Sequence, residues 1–155
     1  MVHGGPGAAG ELALVAKELS MFYGVLEPLQ TADSISGQVE ELREILEAHA
    51  EPPITLIGYS WGAWLIIIFC AKYPEFAKKL ILVSSGAFEE KYAINLMETR
   101  LNRLAEAERT RAIELFAIFN NRDVCLDDKI MSEFGELISK ADSFDIEKAV
   151  HVEIE

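Results

Sequence analysis

Ser60 stands between two glycines in the segment Gly58-Tyr59-Ser60-Trp61-Gly62. A serine hydroxyl attacks an acyl carbon when the backbone lifts it clear of its neighbours and aims it at the substrate. Glycine two residues away on each side allows this. A very tight strand-to-helix turn crowds those two positions, and a side chain at either would collide with the adjoining strand or helix. The turn holds the serine in a strained backbone conformation and points the N-terminus of the next helix at whatever is attacked. Ser60 is therefore the candidate nucleophile of a nucleophile elbow.

A second glycine cluster opens the chain: His3-Gly4-Gly5-Pro6-Gly7. Glycines around a proline form a loop whose backbone approaches a ligand closely, and Gly4 and Gly5 can present amide donors unshielded by side chains. Taken alone the loop also reads as a plain glycine-rich turn. The elbow downstream is what raises its interest.

The elements that would position these residues follow from pattern. Ile54 to Ile57 is a short apolar run after Pro52-Pro53, suited to a strand buried on both faces. Gly62 to Tyr73 is apolar on every side, which predicts an enclosed helix. Leu80 to Ser84, after Lys78-Lys79, predicts another buried strand, and the two strand-helix units imply a parallel sheet. The uncharged run Ile54 to Ala71 also admits a membrane span, but the glycines and serine at its centre suit a strand-turn-helix better.

Upstream, Ala8 to Ser20 predicts a helix, Met21 to Glu27 a strand closed by Pro28, and Gln30 to Ser36 a loop. Ser34 or Ser36 can cap a helix running to about Ala50, with Ile35, Val39, Leu42, Ile45, Leu46 and His49 along one stripe. Composition changes near Ala87. Beyond it, Glu89 to Ala107, Glu108 to Asn120 and Asp127 to Ala141 read as helices. The expected organisation is an α/β core portion over 1–86 and a helical portion over 87–155.

The chain has 155 residues, half of them apolar, and a net charge of -12. No basic stripe is available to neutralise phosphates, so neither nucleic acid nor an anionic membrane is an expected partner. Cys70 and Cys125 do not suggest a disulfide framework, and no secretory signal is visible, so the cytoplasm is the expected compartment. The histidines at 3, 49 and 151 have no spacing to cysteines or acids that resembles a metal site, and no cofactor is expected.

The two glycine motifs in this order resemble the α/β-hydrolase superfamily, and in particular its proline iminopeptidase-like branch. The likeness covers residues 1 to 86, with Tyr73-Pro74-Glu75 and Leu80 to Ser84 where that family has them. The resemblance implies an α/β-hydrolase fold, a parallel sheet with flanking helices and a helical cap. It implies Ser60 as the nucleophile, the Trp61 amide as one oxyanion donor, and Gly5, or less favourably Gly4, as the other. Small molecules or short peptides would be its substrates, cleaved at an ester or amide through an acyl-enzyme.

In that family the acid and base follow the serine, and after Ser60 the only histidine is His151. No strand visible before it carries the acid; Asp123, Asp127, Asp128, Asp142 and Asp145 all fall in helical or loop context. The resemblance thus implies strands before Met1 and an acid and base after Glu155. A non-catalytic α/β-hydrolase-like binding protein stays open as the alternative. Strands left with one side unpaired would invite self-association.

Overall fold

In the computed structural model, residues 1–5, 10–120 and 128–143 are described. They fall into two compact units, Met1–Gly86 and a second beginning at Ala87.

The first unit contains helix α1 (Ala13–Ser20), helix α2 (Ile35–His49), strand β1 (Ile54–Tyr59), helix α3 (Trp61–Lys72) and strand β2 (Ala77–Val83). β1 and β2 are parallel, in register from Leu56↔Leu80 to Tyr59↔Val83. On the other edge of β1, Val2 forms a parallel bridge with Gly58: Val2 N–H donates to Ile57 O at 2.7 Å, and Tyr59 N–H donates to Val2 O at 3.1 Å. The strand that ends in Ser60 is therefore held along both edges. The expected strand-turn-helix holds, and the run Ile54 to Ala71 is divided between β1 and α3 rather than forming one span. Among the described residues no helix is long and apolar enough to cross a membrane.

The core explains why these elements form. Val39, Leu42 and Leu46 from the stripe of α2 meet Leu65, Ile66 and Phe69 of α3, Leu56 of β1, Val2 and Phe76. Helix α2 starts where Ser34 Oγ accepts the Gly37 amide at 3.1 Å, which satisfies one of the free amides of its first turn.

Four expectations need correction. Met21 to Glu27 is not a strand: Met21 and Phe22 turn off the end of α1, and residues 24–30 carry no ladder. Their backbone neighbour is Met1, whose ammonium donates to Leu26 O, and one bond does not make a strand. Strand β2 is not buried on both faces; Leu80, Leu82 and Val83 are 36–41% exposed, because among the described residues β1 is its only paired neighbour. Helix α3 is not enclosed all round, since Ile68 is exposed. The helix expected over Glu89 to Ala107 is broken into a short 3-10 turn, Glu90–Tyr92, and helix α4, Leu96–Asn102.

The second unit is helical: α4, α5 (Glu106–Phe119) and α6 (Asp128–Asp142). Leu104, Ala112 and Ala141 form its small core. Ion pairs lace its surface. Arg100 holds Asp142 through Nε at 2.8 Å and Nη2 at 2.6 Å, and Arg111 holds Glu133 at 2.7 and 2.8 Å. Asp142, weighed above as a triad acid, is thus committed to Arg100. Cys125, Asp123, Asp127, Asp145 and His151 lie outside the described residues.

One polar cluster ties α2 to the end of α3. The Glu40 carboxylate accepts from Lys72 Nζ at 2.5 Å, Tyr73 Oη at 2.8 Å and Arg43 Nε at 3.0 Å. Lys72, then Tyr73 and Arg43, hold the Glu40 carboxyl at about 2, below its ordinary 4.5. A carboxyl depressed in the folded state stabilises fold above its ordinary value, and that contribution fades as pH falls from 4.5 towards 2. The cluster is solvent-screened, so the effect is modest. The urea midpoint of the natural chain is expected to drop over this window. Glu40→Gln is expected to lower the midpoint at pH 7 and to flatten the drop.

Candidate active site

The tip of the elbow is strained in the way its sequence predicts. Ser60 sits at φ 51° and ψ -115°, between the last residue of β1 and the first of α3. That region is unfavourable for a residue with a Cβ and costs roughly 1–3 kcal/mol. The turn is anchored on both sides: Ser60 N–H donates to Val83 O at 2.9 Å, and Ala63 N–H donates to Ser60 O at 3.1 Å.

The flanking glycines are required by distance. A Cβ on Gly58 would lie 2.4 Å from Gly62 O, and one on Gly62 would lie 2.2 Å from Val2 O and 2.5 Å from His3 O. The obstacles are backbone atoms of a strand and a helix, which have no free rotation to move aside. Gly62 lets the first turn of α3 rest on the backbone that leads into the glycine loop.

The structure therefore brings the two sequence motifs together. His3 is buried and fully used. Its Nε2 accepts the Gln30 amide at 3.2 Å, so the ring hydrogen sits on Nδ1, which faces Gly4 O at 3.0 Å. Gln30 Nε2 donates in turn to His3 O at 2.9 Å. These bonds fix the loop beside the elbow, and a Cβ on Gly4 would come within 3.4 Å of the Tyr59 ring.

The two candidate loop amides differ. Gly4 N–H donates to Glu11 Oε1, so it is occupied. Gly5 N–H has no partner among the described residues, and the space where its Cβ would stand is open. The Trp61 amide is the first of α3, and a first-turn amide has no acceptor within its own helix. The Trp61 indole is tied elsewhere: its Nε1 donates to Gln38 Oε1 at 2.9 Å, while Gln38 Nε2 donates to Ala32 O at 3.0 Å.

Glu11, Gln30 and Gln38 went unread in the sequence. Gln38 is a polar residue adjoining the buried stripe of α2, and that burial is the one signal that could have marked it. Glu11 and Gln30 act across seven and 27 residues, with no local pattern to announce them.

Among the described residues Ser60 Oγ has no hydrogen-bond partner. His3 is committed to the loop, and His49 ends α2 near the amino ends of the strands, away from Ser60. Neither brings a base to the serine.

A parallel sheet whose strand runs through a strained serine into a helix, beside a glycine loop, defines an α/β protein built around a strained strand-turn-helix. The model of the alpha/beta hydrolase fold family matches residues 31–151, and the chain belongs to that family. The chain is 30% identical over 123 residues to a proline iminopeptidase of Saccharolobus solfataricus, covering 70% of this chain and 39% of the relative. It is 29% identical over 56 residues to a cis-3-alkyl-4-alkyloxetan-2-one decarboxylase of Shewanella oneidensis, covering 36% and 18%. A crystal structure from Acinetobacter baumannii AYE, provisionally assigned as a lipase, superposes with a TM-score of 0.52 at 23% identity, covering 90% of this chain and 52% of that one. The chain thus spans well under half the length of these curated relatives.

Gly62→Ala forces backbone apart at 2.2 Å and is expected to lower unfolding free energy by about 3 kcal/mol, the upper range for overpacking. Gly24→Ala, with nothing within 4 Å, is expected to change it by less than about 0.5 kcal/mol. Urea unfolding of both variants measures the contrast.

Proposed function

We propose that Ser60 is the nucleophile of a serine hydrolase that cleaves an ester, amide or short peptide through an acyl-enzyme. The observation that carries this reading is the left-handed backbone of Ser60, held by two glycines that a single methyl would unseat. Strain of that kind persists where the surroundings over-determine it, and it presents the hydroxyl at the carboxyl end of β1.

The Trp61 and Gly5 amides are the proposed oxyanion donors. Gly4 is disfavoured because its amide already serves Glu11. Losing one such donor typically costs about 3 kcal/mol of transition-state stabilisation. The proline iminopeptidase among the relatives favours a peptide or amide substrate. Residues 87–155 are proposed as cap, which would select the substrate.

A second reading rests on the histidines. His3 is committed to the loop by its bonds and His49 lies at the end of α2, which favours a binding protein that kept the elbow without the chemistry. A fluorophosphonate probe distinguishes the two. On the hydrolase reading it labels the natural chain at Ser60, located by peptide mass spectrometry, and leaves Ser60→Ala unlabelled. A chain that unfolds cooperatively but takes no label at Ser60 overturns that reading in favour of binding.

We also propose self-association through β2. Its outer edge has no paired strand among the described residues, and Leu80, Leu82 and Val83 are exposed along it. Light scattering is expected to give a mass above the 17.2 kDa of one chain, rising with concentration. A monodisperse 17.2 kDa species counts against it.

A further inference from the structure

A second strained serine stands beside the first. Ser84 follows the last residue of β2 and sits at φ 48°, against φ 51° for Ser60 after the last residue of β1. Among the described residues these two are the non-glycine residues with positive φ. Left-handed backbone is uncommon outside glycine, and asparagine and aspartate adopt it more readily than serine. Such strain clusters at active sites and ligand clamps.

The ladder sets the two serines side by side. It pairs Tyr59 with Val83, and Ser60 N–H donates to Val83 O at 2.9 Å, which carries the pairing one step past the strands. Ser60 and Ser84 therefore occupy neighbouring positions at the carboxyl end of the sheet. Neighbouring strands lie about 4.8 Å apart, and residues at matching positions share a face.

The chain is pinned on both sides of Ser84. Val83 O is held by the Ser60 amide, and Gly86 O accepts Trp64 Nε1 at 3.1 Å. A Cβ on Gly86 would meet the Trp64 ring at 3.1 Å, so this approach is as close as it can be. None of these contacts uses the Ser84 side chain. Its hydroxyl has no hydrogen-bond partner among the described residues. Glycine would make the same turn without the penalty of a Cβ. The fold accounts for the turn at position 84, and it does not account for the hydroxyl there.

We propose that Ser84 is a substrate-binding residue of the Ser60 site, its hydroxyl donating to an oxygen on the carbon next to the acyl carbon. The assignment rests on the reading of Ser60 as nucleophile. An acyl carbon poised for attack lies about 3–3.5 Å from the nucleophilic oxygen. A hydroxyl donor lies about 2.8 Å from its acceptor. With the serines about 4.8 Å apart, the acceptor must stand close to the acyl carbon. An oxygen two bonds away meets this, and it belongs to the acyl side, because the atom two bonds away through a leaving oxygen or nitrogen is carbon. The substrate class is a 2-hydroxyacyl or 2-alkoxyacyl compound in preference to a plain alkyl one.

The test uses the full chain and two fluorophosphonates that differ at one atom of the group on phosphorus, propyl in one and methoxymethyl in the other. The rate constant for labelling Ser60 is measured for each by mass spectrometry. Comparing the methoxymethyl-to-propyl ratio between the natural chain and a variant cancels the probes' own reactivity. Ser84→Ala and Ser84→Gly are each expected to lower that ratio about fivefold, the size of one neutral hydrogen bond. Ser84→Gly is also expected to keep or raise the urea midpoint, since glycine relieves the left-handed backbone. An unchanged ratio in folded variants overturns the assignment and leaves Ser60 standing as nucleophile. Absence of labelling of the natural chain by either probe overturns both. If Ser84→Ala fails to fold, Ser84→Gly decides alone.

Discussion

The contact on which the first unit depends is backbone against backbone, where the first turn of α3 meets the chain at Val2 and His3. Two missing side chains permit it. Gly62 rests on the carbonyls of Val2 and His3, and Gly58 leaves room for the carbonyl of Gly62. Ser60 is held between these approaches, and its left-handed backbone follows from them. The force that keeps the contact closed is the burial of α3. Leu65, Ile66 and Phe69 are each at most 1% exposed, and each such side chain contributes about 1.5–3 kcal/mol. Together they exceed the roughly 1–3 kcal/mol that the strained serine costs. The elbow is stable because the helix behind it is among the most apolar segments of the chain.

Polar groups around the elbow are arranged by the same closeness. Once the glycine loop lies under α3, its polar atoms lose water and must find partners, since an unpaired buried group costs about 1–3 kcal/mol. His3 resolves this by using both ring nitrogens within the loop region, with Gln30 supplying a donor to the ring and another to the His3 carbonyl. Gln38 spans from Ala32 to the Trp61 indole and so links α2, the loop before it and the elbow helix. His3 is the keystone of the loop that it opens.

What was legible in the sequence divides by range. The glycine spacing at 58 and 62, the strand before Ser60, the helix after it and the Ser34 cap are local patterns, and all are present. The failures concern partners. Met21 to Glu27 has strand composition but shares one backbone bond with Met1, and composition says nothing about what runs alongside. β2 has the apolar run of a central strand, yet its outer edge is unpaired, and only topology distinguishes edge from centre. The loop beside the elbow was marked by its glycines, whereas Glu11, which takes the Gly4 amide, was hidden because a glutamate near a helix start usually reads as solvated surface.

On the proposed reading, the geometry at Ser60 bears on one half of acyl transfer more fully than on the other. The proposed donors are free to act: the Trp61 amide lies in the first turn of α3, and the Gly5 amide is uncommitted among the described residues. These groups act on an oxyanion once it exists. They do little to remove the hydroxyl proton, because an amide donor is no base. Proton removal needs an acceptor within about 3 Å, itself oriented by a third group. His3 fails as that acceptor for a reason of bonding, since Nε2 already accepts the Gln30 amide and Nδ1 faces a carbonyl. His49 fails for a reason of place, at the end of α2 near the amino ends of the strands. A nucleophilic Ser60 therefore requires a base from outside these two residues. On the proposed reading, stabilisation of charge and generation of the nucleophile are separable properties, and the elbow bears on the first.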